Sequence, residues 1–183
     1  MKNIVNLLFE AKILKHLPRS GYQFLGSGSE SVAEHSFMIT FIAFIIAQIE
    51  PDIDQMRLIQ MCLLHDLPEA RTGDLNYVNK KYAVADETRA INDLTKSVSF
   101  GGIMKNLLNE FNEGKTREAR LAKDADQLSF ILELKYLADT GSKGPEKWLP
   151  IVQSRLLTET AKKIANEILN TPWDEWWQKN YVD

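Results

Sequence analysis

The segment that decides the fold is CLLHDLPEARTGDL, residues 62–75. It begins as an apolar helix and then places one histidine and three acidic residues, His65, Asp66, Glu69 and Asp74, within ten positions around a single proline. A histidine and an aspartate at the end of an apolar helix need an explanation, because an ionisable group beside a core costs free energy unless it is paired or binds a metal. The segment therefore directs attention to the other ionisable residues in the chain.

The composition is that of one globular domain. The chain has 183 residues, of which 44% are hydrophobic and 26% charged, so we expect a real core and no extensive disorder. The net charge of −3 gives no sign of a surface for a nucleic acid polymer, although a local cluster could still bind a small anion. The single cysteine, Cys62, excludes an internal disulfide and is typical of a buried thiol in a reducing compartment, so we expect a cytoplasmic protein.

No segment predicts a membrane partner. The N-terminal residues MKNIVNLLFEAKILKH interleave charged and apolar residues, unlike a signal peptide. The apolar run SFMITFIAFIIAQI, residues 36–49, has 14 residues, whereas a membrane-spanning helix needs about 20. We therefore interpret it as a buried central helix.

Hydrophobic periodicity predicts helices almost throughout and no sheet. One helix should run from Val32 to about Ile49 after a capping box formed by Ser31 and Glu34, and the next should follow Asp54 and be disturbed by Pro68. Further helices are expected at 4–14, 86–98, 101–112, 116–139 and 147–169. The sequence thus predicts one all-α domain, residues 1–183, of six or seven helices.

Two of the three histidines lie next to a carboxylate at a helix end: His35 follows Glu34, and His65 precedes Asp66. Imidazole and carboxylate together suit a divalent transition metal. Asp126 lies at the margin of the apolar stripe of a helix, where an aspartate costs free energy unless it is paired or binds a metal. It is therefore the candidate fourth ligand, beside His35, His65 and Asp66. Each histidine taken alone is more often a hydrogen-bonded core residue than a ligand.

Three other polar residues have two interpretations. Glu69 lies four positions after His65 and could exchange protons with a water, or it could be a solvated residue in the first turn of the next segment. Arg19 could bind a phosphate or be a surface cation. Asp74 follows Gly73 and could simply be a turn residue.

The ordered motifs LPRSGY, ESVAEHS, LLHDLPEARTGDL and KDADQL resemble those of HD-domain metal-dependent phosphohydrolases, and within them the 5'-deoxynucleotidases. The similarity runs from about Leu14 to Leu132. No histidine follows His65, so the sequence lacks the additional ligands of the dinuclear members of that superfamily.

The resemblance implies a helical HD-like domain that hydrolyses deoxynucleoside 5'-monophosphates. It implies one divalent ion, such as Co²⁺ or Mn²⁺, and a homodimer. In it, the metal ligands are His35, His65, Asp66 and Asp126, Glu69 acts on the water, Arg19 binds the phosphate and Asp74 reaches the sugar hydroxyl. Family members often carry a tryptophan soon after the arginine, whereas this chain has Ser20, Gly21 and Tyr22, so Tyr22 is the candidate contact to the sugar.

Two alternatives stay open at this point. The protein could be a non-catalytic helical domain in which the metal only stabilises the fold, as in a structural metal site. It could also be an HD hydrolase of nucleoside triphosphates or another phosphate ester. The C-terminal residues TPWDEWWQKNYVD place Trp173, Trp176 and Trp177 at helical spacing. They could form a subunit interface or fold back onto their own domain.

Overall fold

The computed structural model describes residues 1–179 and 181, and these form an all-α fold without a β-strand. The resulting helices are α1 (Lys2–Ile13), α2 (Tyr22–Leu25), α3 (Val32–Ile49), α4 (Gln55–Leu64), α5 (Glu69–Thr72), α6 (Glu87–Thr95), α7 (Gly101–Glu113), α8 (Arg117–Asp139), α9 (Pro145–Gln153), α10 (Glu159–Asn170) and α11 (Glu175–Gln178). Two 3₁₀ turns, Leu14–His16 and Asn79–Lys81, accompany them.

Local capping explains where the two helices that lead to the site begin. The side chain of Ser31 accepts from the N–H of Glu34, and the Glu34 carboxylate accepts from the N–H of Ser31, so α3 starts with a complete capping box, as predicted. Asp54 accepts from the N–H of Arg57 and caps α4. These caps satisfy N–H groups that have no partner inside a helix.

The core is built around α8, the longest helix. Its buried face carries Leu121, Ala125, Leu128 and Ile131, and it packs against α3, α4, α9 and α10. Cys62 lies fully buried in the same core, where burial raises the pKa of its thiol. Cys62 is therefore a core residue, as predicted from its apolar neighbours.

The all-α prediction is confirmed, but the helix count of six or seven was too low for the described residues. Three helices of only four residues, α2, α5 and α11, are too short to produce a hydrophobic period. The expected helix 147–169 is two helices, α9 and α10. The break has a tertiary cause, because the buried carboxylate of Asp124 on α8 accepts from the N–H groups of Leu157 (2.7 Å) and Thr158 (2.8 Å).

Helix α3 is buried on one face only. Its 18 residues are long and apolar enough to cross a membrane by length and composition, but its inner face packs against α4 and α8 and carries the buried His35. These contacts are those of a core helix in a globular domain. Its outer face exposes Phe37, Phe41 and Phe44, so the predicted buried central helix is buried on its inner face only.

Candidate metal centre and substrate cavity

His35 lies in the first turn of α3, where the capping box fixes the start of the helix. Its side chain is only 1% exposed. The ring Nε2 lies 3.0 Å from Oδ1 of Asp126 on α8, and Nδ1 lies 3.5 Å from both Oε2 of Glu30 and Oγ of Ser129. Both ring nitrogens are therefore aimed at groups that fix the orientation of the imidazole.

His65 caps the C-terminus of α4, one residue past the last helical position. Its Nδ1–H donates to the carbonyl of Cys62 at 2.8 Å, because a carbonyl can only accept. This bond leaves Nε2 as the nitrogen with a lone pair. That buried Nε2 makes no hydrogen bond, although Oδ2 of Asp66 lies 3.1 Å away. In metal-binding histidines one ring N–H usually donates to a backbone carbonyl or a carboxylate, and the other ring nitrogen directs its lone pair to the metal.

Asp66 follows His65 in the turn that Pro68 forces. Its Oδ2 lies 3.9 Å from Nε2 of His35 and 3.2 Å from a guanidinium nitrogen of Arg19. Burial raises the pKa of Asp66, but the neighbouring His65 and Arg19 lower it by a larger amount. The net effect is a lowered pKa. The carboxylate is therefore charged at neutral pH and available as a ligand.

Two aspartates on α8 have opposite roles although only Ala125 separates them. Asp126 faces His35, whereas Asp124 points to the other side of the helix and holds the start of α10. Adjacent helical positions are about 100° apart, so residues two apart face nearly opposite directions. Burial raises the pKa of Asp126, and the His35 contact more than reverses this effect, so Asp126 stays ionised.

The four predicted ligands fit a divalent metal ion. Candidate donor atoms of His35, His65 and Asp126 all lie within 4.8 Å of one another, and Asp66 borders the same space. The buried Nε2 of His65 without a hydrogen bond is the clearest sign, because an orphaned buried acceptor is costly unless a ligand completes it. Two imidazoles with two carboxylates form a donor set typical of Zn²⁺, Co²⁺, Mn²⁺ or Fe²⁺ rather than of Ca²⁺.

Glu69 begins the short helix α5 and turns its carboxyl group toward the same centre. Burial raises the pKa of Glu69 most, the negative charges of Asp66 and Asp74 raise it further, and the result is about 9. Its Oε2 is buried without a hydrogen bond. Glu69 is therefore a buried carboxyl group beside the cavity and not a solvated surface residue.

A cavity of about 340 Å³ brings the remaining predicted residues together. Arg19, Tyr22, Glu69, Asp74 and Asp126 all line it. His65 and Asp66 line it as well, while His35 lies behind Asp126 and Asp66. The structure thus assembles the whole predicted set around one space.

Asp74 and Tyr22 are held by specific contacts. Oδ2 of Asp74 accepts from the N–H of Ser20 at 2.8 Å, which ties the loop after α5 to the loop that carries Arg19. Gly73 makes the turn between α5 and Asp74 with φ 74°, a conformation that favours glycine. The hydroxyl of Tyr22 donates to Glu30 at 3.3 Å, so this residue also belongs to the network behind His35.

The sequence interpretation missed several residues of the site. Glu30 and Ser129 contact the far nitrogen of His35, and Tyr77, Phe130 and Trp148 form part of the cavity wall. Only Glu30 carried a usable signal, since it lies in the same motif as His35. The aromatic residues come from three distant segments and could not be grouped without the fold.

Comparison with known proteins agrees with this geometry. A family model described as HD domain matches residues 11–169. The chain is 32% identical over 132 residues to 5'-deoxynucleotidase HDDC2 of Dictyostelium discoideum, covering 66% of this chain and 70% of that protein. It is 28% identical over 140 residues to 5'-deoxynucleotidase HDDC2 of Danio rerio, covering 73% of this chain and 68% of the relative.

Solved structures share the fold over most of their length. A conserved hypothetical protein from Pyrococcus furiosus superposes with a TM-score of 0.76 at 25% identity, covering 91% of this chain and 99% of that one. The PH0347 protein from Pyrococcus horikoshii OT3 gives a TM-score of 0.74 at 27% identity, with 92% and 98% covered. The comparisons confirm the predicted family and the predicted enzyme class, a metal-dependent hydrolase. The chain belongs to the HD domain family.

Proposed function

We propose that the protein hydrolyses deoxynucleoside 5'-monophosphates to a nucleoside and phosphate with one divalent metal ion. The observation that carries this proposal is the position of Glu69. A buried carboxyl group with a raised pKa and an unpartnered oxygen lines the same cavity as the metal-ligand set and the guanidinium of Arg19. The relatives named 5'-deoxynucleotidase support the choice of substrate.

The four ligands would be His35, His65, Asp66 and Asp126, and the ion would be Co²⁺ or Mn²⁺. A divalent ion supplies Lewis-acid chemistry, because it polarises a phosphate oxygen and makes water easier to deprotonate. The chain supplies the fixed orientation of the donors. The Cys62 carbonyl holds the ring of His65, and Glu30 with Ser129 holds the ring of His35.

Glu69 is the proton-transfer residue in this proposal. Arg19 and His35 lower the pKa of Glu69, but burial and the neighbouring carboxylates raise it by more, so Glu69 stays protonated at neutral pH. Additional positive charge in the centre would lower that pKa and allow the carboxylate to accept a proton from the attacking water. The same group can then protonate the departing sugar oxygen, and such acid–base assistance is worth about 10²–10⁴-fold.

Arg19, Asp74 and Tyr22 are the proposed substrate-binding residues. The Arg19 guanidinium lies between Asp66 (3.2 Å) and Asp74 (3.9 Å), and a phosphate group in the cavity could accept from its donors. Asp74 is proposed to accept from a sugar hydroxyl and Tyr22 to contact the sugar. Within the protein, Asp74 accepts from the N–H of Ser20 and lies beside Arg19, and the hydroxyl of Tyr22 donates to Glu30.

The alternative of a non-catalytic domain with a structural metal site is less well supported than the hydrolase. A structural metal site is normally closed by protein ligands, and it needs no acid–base group beside it. Here the ligand set borders an open cavity, and Glu69 lies next to it.

We also propose that residues 1–183 form one domain and that the protein is cytoplasmic. The buried single thiol of Cys62 supports the cytoplasmic location.

We also propose a homodimer, and the exposed face of α3 supports it better than the tryptophan-rich tail does. Phe37, Phe41 and Phe44 form a row of rings whose centroids are 6.5 and 6.4 Å apart, and a monomer seldom leaves such a patch in water. Trp173 instead packs edge-on against Tyr136 of its own domain at 5.1 Å. Light scattering on Phe41→Glu should give the mass of one chain if the face is the interface, and a wild-type monomer would contradict the proposal.

The test of the function is phosphate release from a panel of deoxynucleotides, ribonucleotides, nucleoside triphosphates and sugar phosphates with Co²⁺, Mn²⁺, Mg²⁺ or Zn²⁺. We expect release from deoxynucleoside monophosphates and none after chelation. His65→Ala should lose metal and activity together, while His16→Ala, which changes the exposed third histidine, should keep both. Preferred release from triphosphates would favour the alternative HD hydrolase, and full metal occupancy in His65→Ala would reject the ligand assignment.

A further inference from the structure

One wall of the cavity is aromatic and is not used by the proposed chemistry. Tyr77, Phe130 and Trp148 line the cavity that also contains Arg19 and Glu69. The ring centroids of Tyr77 and Trp148 are 6.0 Å apart, and those of Phe130 and Trp148 are 6.1 Å apart, both in edge-on geometry. The three rings therefore form one continuous surface, called the aromatic wall below.

The fold fixes the aromatic wall close to the metal ligands. Phe130 follows Asp126 by four positions on α8, which places it on the same helix face about 6 Å farther along. Trp148 lies on α9 and packs partly against the main core. These two rings cannot move far without disturbing the core.

Tyr77 is presented by a loop that is itself held in place. Buried Asn76 accepts through Oδ1 from the N–H groups of Val78 (3.0 Å) and Asn79 (2.9 Å). This turn fixes the backbone on both sides of Tyr77, yet Tyr77 as a whole residue remains 55% exposed. A ring held at the edge of a polar cavity with much of its surface in water is available to stack with a ligand.

The cavity thus combines an anion-binding end with the aromatic wall, which matches a molecule with a phosphate at one end and a planar ring at the other. We infer that Tyr77 and Trp148, supported by Phe130, form the subsite for the nucleobase. This inference rests on the proposed function, because it takes the substrate to be a nucleoside monophosphate with its phosphate at Arg19. Aromatic stacking accepts every base and is stronger for the larger purine ring system.

The experiment compares substrates with and without a base. Steady-state kinetics of Tyr77→Ala should show KM for dAMP raised by roughly tenfold with a small change in kcat. KM for 2-deoxyribose 5-phosphate, which has no base, should stay at the wild-type value. Tyr77→Phe should restore the wild-type KM for dAMP. Trp148→Phe is the second variant, because it keeps an aromatic ring in the core while shrinking the stacking surface.

The matched control is Tyr82→Ala, which removes a neighbouring tyrosine that is 87% exposed and does not line the cavity. It should leave KM for both substrates unchanged. Equal changes in KM for dAMP and the sugar phosphate in Tyr77→Ala, or no change in either, would overturn the subsite. A wild-type enzyme that hydrolyses neither substrate would reject the proposed function instead, and equilibrium binding of dAMP to wild type and Tyr77→Ala would then decide the subsite separately.

Discussion

The Nε2 of His35 and the Oδ1 of Asp126 lie 3.0 Å apart although 91 positions separate the two residues in the chain. Burial lowers the pKa of His35, but hydrogen bonds with Asp126 and Glu30 raise it, and the result is about 9. The metal-free protein therefore holds a proton between two proposed ligands. A metal ion must displace that proton in order to bind.

Metal affinity should consequently rise with pH. Because the raised pKa keeps His35 protonated below about 9, each unit of increase between pH 6 and 8 should strengthen apparent binding by at least about tenfold. Calorimetry in buffers of different ionisation enthalpy should detect at least about one proton released per ion, the one held by His35. Affinity that is independent of pH over this range would show that His35 is not displaced from a protonated state.

Glu30 should act on the metal only through His35. Its Oε2 faces Nδ1 of His35 at 3.5 Å, and it also accepts from Tyr22. Carboxylates in this position orient metal-bound histidines, and their loss typically costs about 10–100-fold in metal affinity. Glu30→Gln should therefore weaken metal binding by about that factor in a chelator competition assay, while kcat at saturating metal changes little. Glu113→Gln, at an exposed position on α7, is the control.

The two aspartates of α8 should separate stability from metal binding. Asp124→Ala leaves the N–H groups of Leu157 and Thr158 without their buried acceptor, so we expect a loss of about 2–3 kcal/mol in the free energy of unfolding. Metal affinity of the folded protein should stay near the wild-type value. Asp126→Asn should give the reverse pattern, a folded protein with weak metal binding. Chemical denaturation and elemental analysis measure the two effects, and the same loss of metal in both variants would argue against the separation.

Glu69→Gln keeps the shape of the side chain and removes its capacity to exchange a proton. The variant should fold, bind its metal and bind nucleotide, because Glu69 makes no hydrogen bond through its buried Oε2 that would hold the site together. We expect kcat to fall by at least about two orders of magnitude with a small change in KM. A kcat close to wild type would remove Glu69 from the mechanism.

Arg19→Lys tests the phosphate site. A guanidinium can contact Asp66 and a phosphate at once through its planar donors, whereas an ammonium group is a single point of charge. KM should rise by about tenfold or more while the metal content stays unchanged. Unchanged kinetics would identify Arg19 as a structural partner of Asp66 alone.

Several helix boundaries and the prediction of a metal centre follow from the local sequence. The capping box at Ser31, the cap at Asp54 and the proline after Asp66 fix helix boundaries through contacts within a few residues. The HD pair predicted a metal centre because two ionisable groups at the end of an apolar helix need a partner, and the structure places the other predicted residues around it.

Other features depended on contacts between distant segments. The break between α9 and α10 is set by Asp124, more than thirty positions away, so no periodicity within 147–169 could locate it. The exposed face of α3 and the aromatic wall depend on which side of each helix the neighbours cover. A sequence records that a residue is apolar, but only the packing of the chain decides whether that residue faces the core, the solvent or a cavity, because burial is a property of the assembled surface.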